Sequence, residues 1–567
     1  MKHAKKRSFD GLAAAFVLTA AIAFMLCIYA PYELFLNNQF EFWMATGDLL
    51  LPSVVLFLAV CAVGAAGFFV LRLIGRGALR IGLAAGLALL IGLYIQGNLL
   101  VGGLPPLDGT VVDWRAASPE RIKSLAVFGG AVIVAVVLSV FLRGKRFVKT
   151  VLYASGALTL VLAVTLGTLF VTMGSRYKNN PLADKSGFLK PTTEGEFTYS
   201  TDRNLIVLML DATDETIFAQ ELANDPELRA EMTGFTQFTD AMSGYPYTEL
   251  SLPQIFSGNW FENGESERSF TSQSVKNSPF VKKAREQGYR IGLYDDEALQ
   301  LPAAYHEGLY ENQIRVKNRF SSLKGGCITL LRMTCIKYAP WDLKSHGYTA
   351  VRYSQKVKSS TTADGRTAEF FDWSLVDFYH AVQKDGTVQT TGDKCLRFIQ
   401  LEGAHVPYQY NKDVEVISTG ATYRTNMQAC LTTIKAYLKA LKAAGVYENS
   451  AIAIMSDHGY DYSVGNDEKP DVLKRAHPML MIKGIGESGE LKTSDAAISY
   501  EDVAGALSEL MDGKGALAAF EGHTAARERR FLAHEWTGQG VLTEYVTAGR
   551  ADDRDAMRAT GRVFTQK

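Results

Sequence analysis

The chain is 567 residues long and carries 59 Lys+Arg against 59 Asp+Glu, so its formal charge is zero. That length excludes a single ordinary domain, and the even balance argues neither for nor against a nucleic-acid partner. The averages conceal a split: residues up to Met173 are overwhelmingly apolar, while the remainder has the composition of a soluble globular domain.

Five runs with few or no charges fill the first part: Gly11–Ala30, Leu49–Leu71, Ile81–Val101, Ser124–Leu142 and Val151–Met173. Each is close to the roughly 20 residues that cross a bilayer as a helix. Lys2, Lys5, Lys6 and Arg7 precede the first run, as they would in a secretory signal peptide. That run is longer than the apolar stretch of such a peptide and four more follow, so it reads as a membrane helix. Loop charges set an orientation. The N-terminus, the second-to-third loop (Arg72, Arg76, Arg80) and the fourth-to-fifth loop (Arg143, Lys145, Arg146, Lys149) are basic. By contrast Pro31–Asp48 has no Lys or Arg, and Gly102–Lys123 has only Arg115, Arg121 and Lys123. The alternation predicts a cytoplasmic N-terminus, and five spans then put everything after Met173 outside the cell.

Gly174–Ser200 is a polar connector containing Asn179, Asn180, Pro181 and Pro191. Beyond it, Asn204–Leu210 (NLIVLML) is a continuous apolar run, the pattern of a strand buried on both faces and so of a parallel sheet. It stops at Asp211. An acid there is a good ligand for a divalent cation, and equally a helix N-cap for the stretch that follows, unless Asp214 holds that cap. Gly244–Gly258 (GYPYTELSLPQIFSG) then offers two hydroxyls, Thr248 and Ser251. Beside a cation a hydroxyl loses its proton more readily and becomes a nucleophile. Spacing alone does not choose between the two, and Thr248 is also an ordinary turn or cap residue.

Strand-like runs recur at Tyr289–Tyr294, Cys395–Leu401, Ala451–Met455 and Pro478–Ile482, with helical spacing between them, clearest over Thr422–Ala444. The alternation predicts an α/β sandwich with ligands gathered at the carboxyl ends of strands. Four strands end in acidic or histidine-bearing loops: Asp211, Asp295-Asp296, Glu402/His405 and Asp457-His458. In LEGAHVPY (Leu401–Tyr408), His405 could bind a metal or phosphoryl oxygens with Glu402 assisting, although a structural loop would look the same. In AIAIMSDHGYDY (Ala451–Tyr462), a buried strand delivers a carboxylate and an imidazole side by side, and Gly459 lets the backbone turn away. A strand followed by a polar turn is the competing reading. In RAHPMLMI (Arg475–Ile482), His477 precedes a strand, where a ligand would complete a cluster begun by Asp457 and His458.

Of the six cysteines, Cys27 and Cys61 fall in membrane helices as packing residues. In the outward part proximity favours Cys327–Cys335 and leaves Cys395–Cys430, with free buried thiols as the alternative.

The order of these motifs resembles the alkaline phosphatase/sulfatase superfamily. It runs from an Asp closing the first strand, through a Thr before SLPQIFSG, HVPY and SDHG, to His-Pro ahead of an apolar run. Five membrane helices ahead of such a domain look like its membrane-anchored branch, the phosphoethanolamine transferases and lipoteichoic acid synthases. Ile498–Val503 followed by Leu507–Leu510 resembles the closing segment of the sulfatase domain.

The resemblance implies an α-helical membrane domain of five transmembrane helices plus an extracytoplasmic α/β sulfatase-like domain with a mostly parallel central sheet. The expected boundaries are 1–173 for the membrane domain, 174–200 for the linker, 201–525 for the catalytic domain and 526–567 for a C-terminal extension. It implies Asp211, Thr248, Asp457 and His458 as ligands of a principal zinc (or manganese) ion. Thr248 is also the catalytic nucleophile, and the catalytic His405 and His477 hold the transferred group or a second metal. The implied protein is a multi-pass enzyme of the cell membrane, with its catalytic domain extracytoplasmic. It moves a phospho-group, of phosphoethanolamine or glycerol phosphate type, from a phospholipid donor to a cell-envelope glycan or lipid acceptor through a phospho-threonine, with no nucleic acid involved. The alternative is a phosphodiester or sulfuric ester hydrolase with water as acceptor. Two departures stand out: the transferases usually have Glu where this chain has Asp211, and the C/S-x-P-x-R signature of true sulfatases is absent.

Overall fold

In a computed structural model, residues 11–38, 46–104, 113–142, 144–179, 188–265, 267–295, 308–316, 323–352, 359–361, 367–384, 386–461, 471–523, 527–534 and 541–565 are described. Lys2, Lys5, Lys6, Arg7, Arg143, Asn180, Pro181, Asp296 and Tyr462 lie outside them. The chain divides into two compact units, 1–185 with 317–357, and 186–316 with 358–567.

The first unit holds five helices long and apolar enough to cross a membrane: α1 (Leu12–Asn37), α2 (Leu50–Ile74), α3 (Arg76–Leu99), α4 (Pro119–Phe141) and α5 (Lys145–Asn179). Their outward faces carry exposed Leu, Val and Phe, such as Leu51, Val63 and Val171, as helices surrounded by lipid require. This unit also takes in 317–357, inside the span expected for the catalytic domain. There α6 (Leu323–Tyr338) lays the Tyr338 ring on Gly97 of α3, where a Cβ would come within 2.3 Å of it. Lys337 pairs with Glu33 at 2.6 Å, and Asp342 with Arg121 at 2.8 Å. Cys327 and Cys335 both lie on α6, eight positions and so about 12 Å of rise apart. A disulfide needs Cα atoms closer than about 7 Å, so the expected pair cannot form. Cys395 and Cys430 are free as well.

The second unit is built on a seven-stranded sheet. Its strands are β1 (Asn204–Leu210), β2 (Thr236–Phe238), β3 (Arg290–Tyr294), β4 (Cys395–Leu401), β5 (Ser450–Met455), β6 (Leu480–Lys483) and β7 (Lys492–Ser494). The spatial order is β7-β2-β6-β5-β1-β4-β3, parallel except for β6. β1 is central and buried at every position. Ile206, Leu208 and Leu210 face one core, with α9 (Tyr423–Ala443) packed over it. Leu205, Val207 and Met209 face the other, under α8 (Thr248–Ser257) and α10 (Val503–Met511). Because β4, β1 and β5 run parallel and in register, their carboxyl ends open on one edge. An antiparallel sheet of β8 (Arg529–Ala533), β9 (Val541–Thr547) and β10 (Arg558–Thr565) closes the chain.

Candidate metal centre

β1 delivers Asp211 and then turns sharply, with Ala212 at φ 56°, a conformation uncommon for a residue with a Cβ. Two neighbours hold the turn. The Ala212 N–H donates to Asp457 Oδ1 at 3.3 Å, and its carbonyl accepts from the Tyr423 hydroxyl at 2.8 Å. Gly403, in the loop after β4, lies so close that a Cβ would come within 2.3 Å of the Asp211 carbonyl oxygen.

β5 delivers Ser456, Asp457 and His458. The Ser456 hydroxyl accepts from the Thr213 N–H (2.8 Å) and donates to the His458 carbonyl (2.7 Å), tying the two strand ends together. His458 Nδ1 sits 2.7 Å from the Gly459 carbonyl. A carbonyl only accepts, so in the neutral ring Nδ1 carries the proton and Nε2 keeps its lone pair. Nε2 lies 3.6 Å from Asp211 Oδ1 and 3.4 Å from Asp457 Oδ2. Those two carboxylate oxygens are buried and have no hydrogen-bond partner. Asp211, Asp457 and His458 thus bring one ligand atom each within 4.8 Å of one another.

Thr248 opens α8 and donates its hydroxyl to Asp211 Oδ2 at 3.4 Å. It is half-buried where the other three are buried, and it stands at the positive end of a ten-residue helix. Ser251, the competing hydroxyl, is fully buried and donates to the Tyr245 carbonyl at 3.0 Å. It braces the turn that presents Thr248.

The electrostatics of this cluster are unbalanced. Burial first, then the charges of Asp457 and Glu249, push the Asp211 carboxyl well above the usual carboxylate range, against the Thr248 hydrogen bond and Arg475. Burial, with Arg475 adding to it, pushes the His458 imidazole down despite Asp457. Orphaned carboxylate oxygens cost free energy when buried. Two of them, an imidazole lone pair and a hydroxyl form a donor set that fits a divalent cation of the zinc or manganese kind.

The other expected residues stand apart from this cluster. Asp214, not Asp211, caps α7 (Glu215–Ala223) through the Ile217 N–H. Glu402 accepts from the Leu375 N–H and the Tyr410 hydroxyl, a bracing role. His405 is half-buried, with Nδ1 2.6 Å from the Val406 carbonyl. Its loop is anchored to the site by the Ala404 N–H, which donates to the Asp211 carbonyl. His477 turns elsewhere: Nε2 lies 3.1 Å from the Thr239 carbonyl and Nδ1 3.3 Å from the Thr216 hydroxyl. Both nitrogens are engaged, so His477 does not complete the cluster. Asp295 ends β3, two strands from β1, and is absent from it.

Sequence reasoning passed over Arg475 and His534. Arg475 stacks its guanidinium on Tyr247, 4.6 Å from the ring centre, and on Tyr460 at 5.2 Å. His534, just past β8, sets its ring edge-on to Tyr247 at 4.9 Å. Burial, with the charge of Arg475, lowers the His534 pKa to about 4. No periodicity marks either; the only signal was a cation inside the RAHP motif.

A family model described as sulfatase matches residues 203–513, more than half of the chain. Comparison with the curated proteins finds no match. Among solved structures, the chain is similar to the integral membrane lipooligosaccharide phosphoethanolamine transferase A of Neisseria meningitidis. Identity is 13%, covering 89% of this chain and 95% of that one, with a TM-score of 0.32. An alkaline phosphatase superfamily protein of Vibrio parahaemolyticus shows 15% identity over 68% and 83%, TM-score 0.36. The lipoteichoic acid synthase LtaP of Listeria monocytogenes shows 11% over 63% and 84%, TM-score 0.35.

Proposed function

The chain belongs to the sulfatase family, and from that premise we propose that it is a membrane-anchored, metal-dependent phospho-group transferase. Its donor is a phospholipid, its acceptor a hydroxyl on a cell-envelope glycan or lipid, and Thr248 carries the group between them. One observation supports this above the rest. The half-exposed hydroxyl of Thr248 stands at a helix N-terminus and touches a carboxylate of a buried cluster whose remaining oxygens lack partners. Water as the second acceptor would use the same hydroxyl, so this observation supports the covalent step in particular.

Asp211, Asp457, His458 and Thr248 would hold the cation. When bound, it supplies Lewis acidity, favouring the ionised hydroxyl and drawing negative charge from phosphoryl oxygens. Thr248 Oγ1 attacks phosphorus and the P–O bond to diacylglycerol breaks. The released diacylglycerol oxygen takes up a proton, and the group rests as a phosphodiester on Thr248. The acceptor hydroxyl then attacks the same phosphorus, the P–Oγ bond breaks, and Thr248 regains its proton. The positive end of α8 favours the anion at each stage. His405, on the loop anchored to Asp211, is the residue we place at the phosphoryl oxygens, whereas His477 braces the Thr216–Thr239 region. The alternation of basic loops supports a catalytic unit outside the cytoplasm at the cell membrane.

The test is mass spectrometry of protein quenched during turnover of a phosphatidylethanolamine or phosphatidylglycerol donor. The added phospho-group mass is expected on the Thr248 peptide and is absent from Thr248→Ala. An unmodified wild-type peptide during turnover overturns the covalent step in favour of direct attack by water, whereas an adduct on Thr248 with product formed equally fast with and without a hydroxyl acceptor favours the hydrolase reading.

A further inference from the structure

Arg475 is a cation held in place with no carboxylate paired to it among the described residues. Its guanidinium lies over the rings of both Tyr247 and Tyr460, with ring centres at 4.6 Å and 5.2 Å. The one hydrogen bond it donates goes to the Pro246 carbonyl at 3.3 Å. Among the described residues no carboxylate pairs with it, although its neighbour Lys474 pairs with Asp461. A guanidinium has five N–H donors in a planar fork, so most of them have no acceptor among the described residues.

Its backbone is as fixed as its side chain. The Arg475 carbonyl accepts from the Gly459 N–H (2.7 Å), one residue beyond His458, and from the Ser243 hydroxyl (3.2 Å). The stacking partner Tyr247 directly precedes Thr248 and sets its ring edge-on to His458 at 6.3 Å. The guanidinium is therefore built into both segments that present the nucleophile and the imidazole, and its charge acts on Asp211, His458 and His534 alike. Also against Tyr247, His534 brings an imidazole whose Nδ1 is buried and has no hydrogen-bond partner. An arginine serving stability would sit against a carboxylate, as Arg529 does against Asp240. One that is stacked, unpaired and beside a nucleophile is preorganised for a tetrahedral oxyanion.

We propose that Arg475, clamped by Tyr247 and Tyr460 and flanked by His534, is the subsite that grips the phosphate anion of the donor. The assignment rests on the phospho-transfer reading above and deepens it. The anion could be the diester phosphate of a lipid or free inorganic phosphate; the guanidinium meets the same oxygens in both.

The test titrates inorganic phosphate into metal-loaded, full-length protein by calorimetry, comparing wild type with Arg475→Lys and Arg475→Met. Metal content and thermal unfolding are measured on each variant. Arg475→Met is expected to weaken phosphate binding at least tenfold with metal content unchanged, and Arg475→Lys to fall between, since lysine keeps the charge but loses the fork. Vesicles of phosphatidylglycerol as a competing titrant show whether a lipid phosphate occupies the same place. Equal phosphate affinity in wild type and Arg475→Met overturns the subsite, and so does a wild type that binds no phosphate. A phosphate site that depends on Arg475, in a protein that turns over no phospholipid, keeps the subsite and removes the lipid donor.

Discussion

Two buried charged clusters of the catalytic unit differ in what their oxygens touch. Asp240 meets Arg529 through both carboxylate oxygens, at 3.0 and 3.2 Å, and its Oδ1 also accepts from the Ala551 N–H. Arg529 reaches on to the carbonyls of Asp240, Ile498 and Gly549. Asp211 and Asp457 have the same depth of burial, yet each leaves an oxygen unpartnered, aimed at an imidazole lone pair. Burying charge is tolerated structurally when the cluster supplies its own counter-charge. A cluster that withholds it is completed from outside. The first holds the fold, and the second is the one to which chemistry is assigned.

The comparison breaks most sharply at Thr248. Thr248→Ala should lower phospho-transfer by at least a thousandfold, about 4 kcal/mol of transition-state stabilisation, with an unfolding temperature close to wild type. Thr248→Ser should restore part of the rate. Asp457→Ala and His458→Ala should likewise abolish turnover, and metal analysis should find the cation lost while the folded state persists. Normal turnover in either variant removes the assignment.

Arg529→Ala should do the reverse. Leaving Asp240 buried and unpaired costs about 3–5 kcal/mol of stability, read as a large fall in the unfolding midpoint. Protein that remains folded should still bind metal at wild-type stoichiometry.

pH sharpens the contrast next. In chelated protein the Asp211 carboxyl titrates well above its unfolded value, through burial and Asp457. Its contribution to stability is therefore complete below about pH 4, the ordinary carboxylate value, and is lost as pH rises through the folded value. Chelated wild type should melt at progressively lower temperature as pH rises from 4 through neutrality, and Asp211→Asn should flatten that slope. Saturating zinc should reverse the trend by binding the ionised form. A chelated protein whose unfolding temperature is independent of pH would mean these oxygens are partnered in solution.

The same contrast explains what was legible in the sequence. Apolar runs are local signals, so the five membrane helices, the buried β1, β4 and β5, and helix α9 read directly, as did Asp211, Asp457 and His458 at the strand ends. The three-residue edge strands β2 and β7 are too short and too polar to carry a period. Hydrogen-bond partners are tertiary facts. His477 sits in a motif as suggestive as that of His458, yet its nitrogens are taken by Thr216 and Thr239. Arg475 matters because two tyrosines distant in sequence converge on it. The segment 317–357 groups with the apolar helices through the pairs Lys337–Glu33 and Asp342–Arg121, which no spacing foretells.

The smallest expected effect separates the two hydroxyls of α8 that sequence alone left level. Ser251 is inaccessible and donates one hydrogen bond to the Tyr245 carbonyl, while its own N–H donates to the Tyr247 carbonyl. Ser251→Ala deletes only the first of these, and the small side chain leaves little cavity behind. The loss should be about 1 kcal/mol of stability, a shift of a few degrees at most in a domain of this size. Turnover should stay within a few-fold of wild type, because the backbone bond that sets the start of α8 survives. The quenched-turnover adduct should remain on Thr248. If Ser251→Ala instead removes both adduct and activity while Thr248→Ala retains them, the helix start must rearrange to expose Ser251. The partnered hydroxyl would then be the reactive one, and the distinction drawn between satisfied and unsatisfied polar groups would fail at this site.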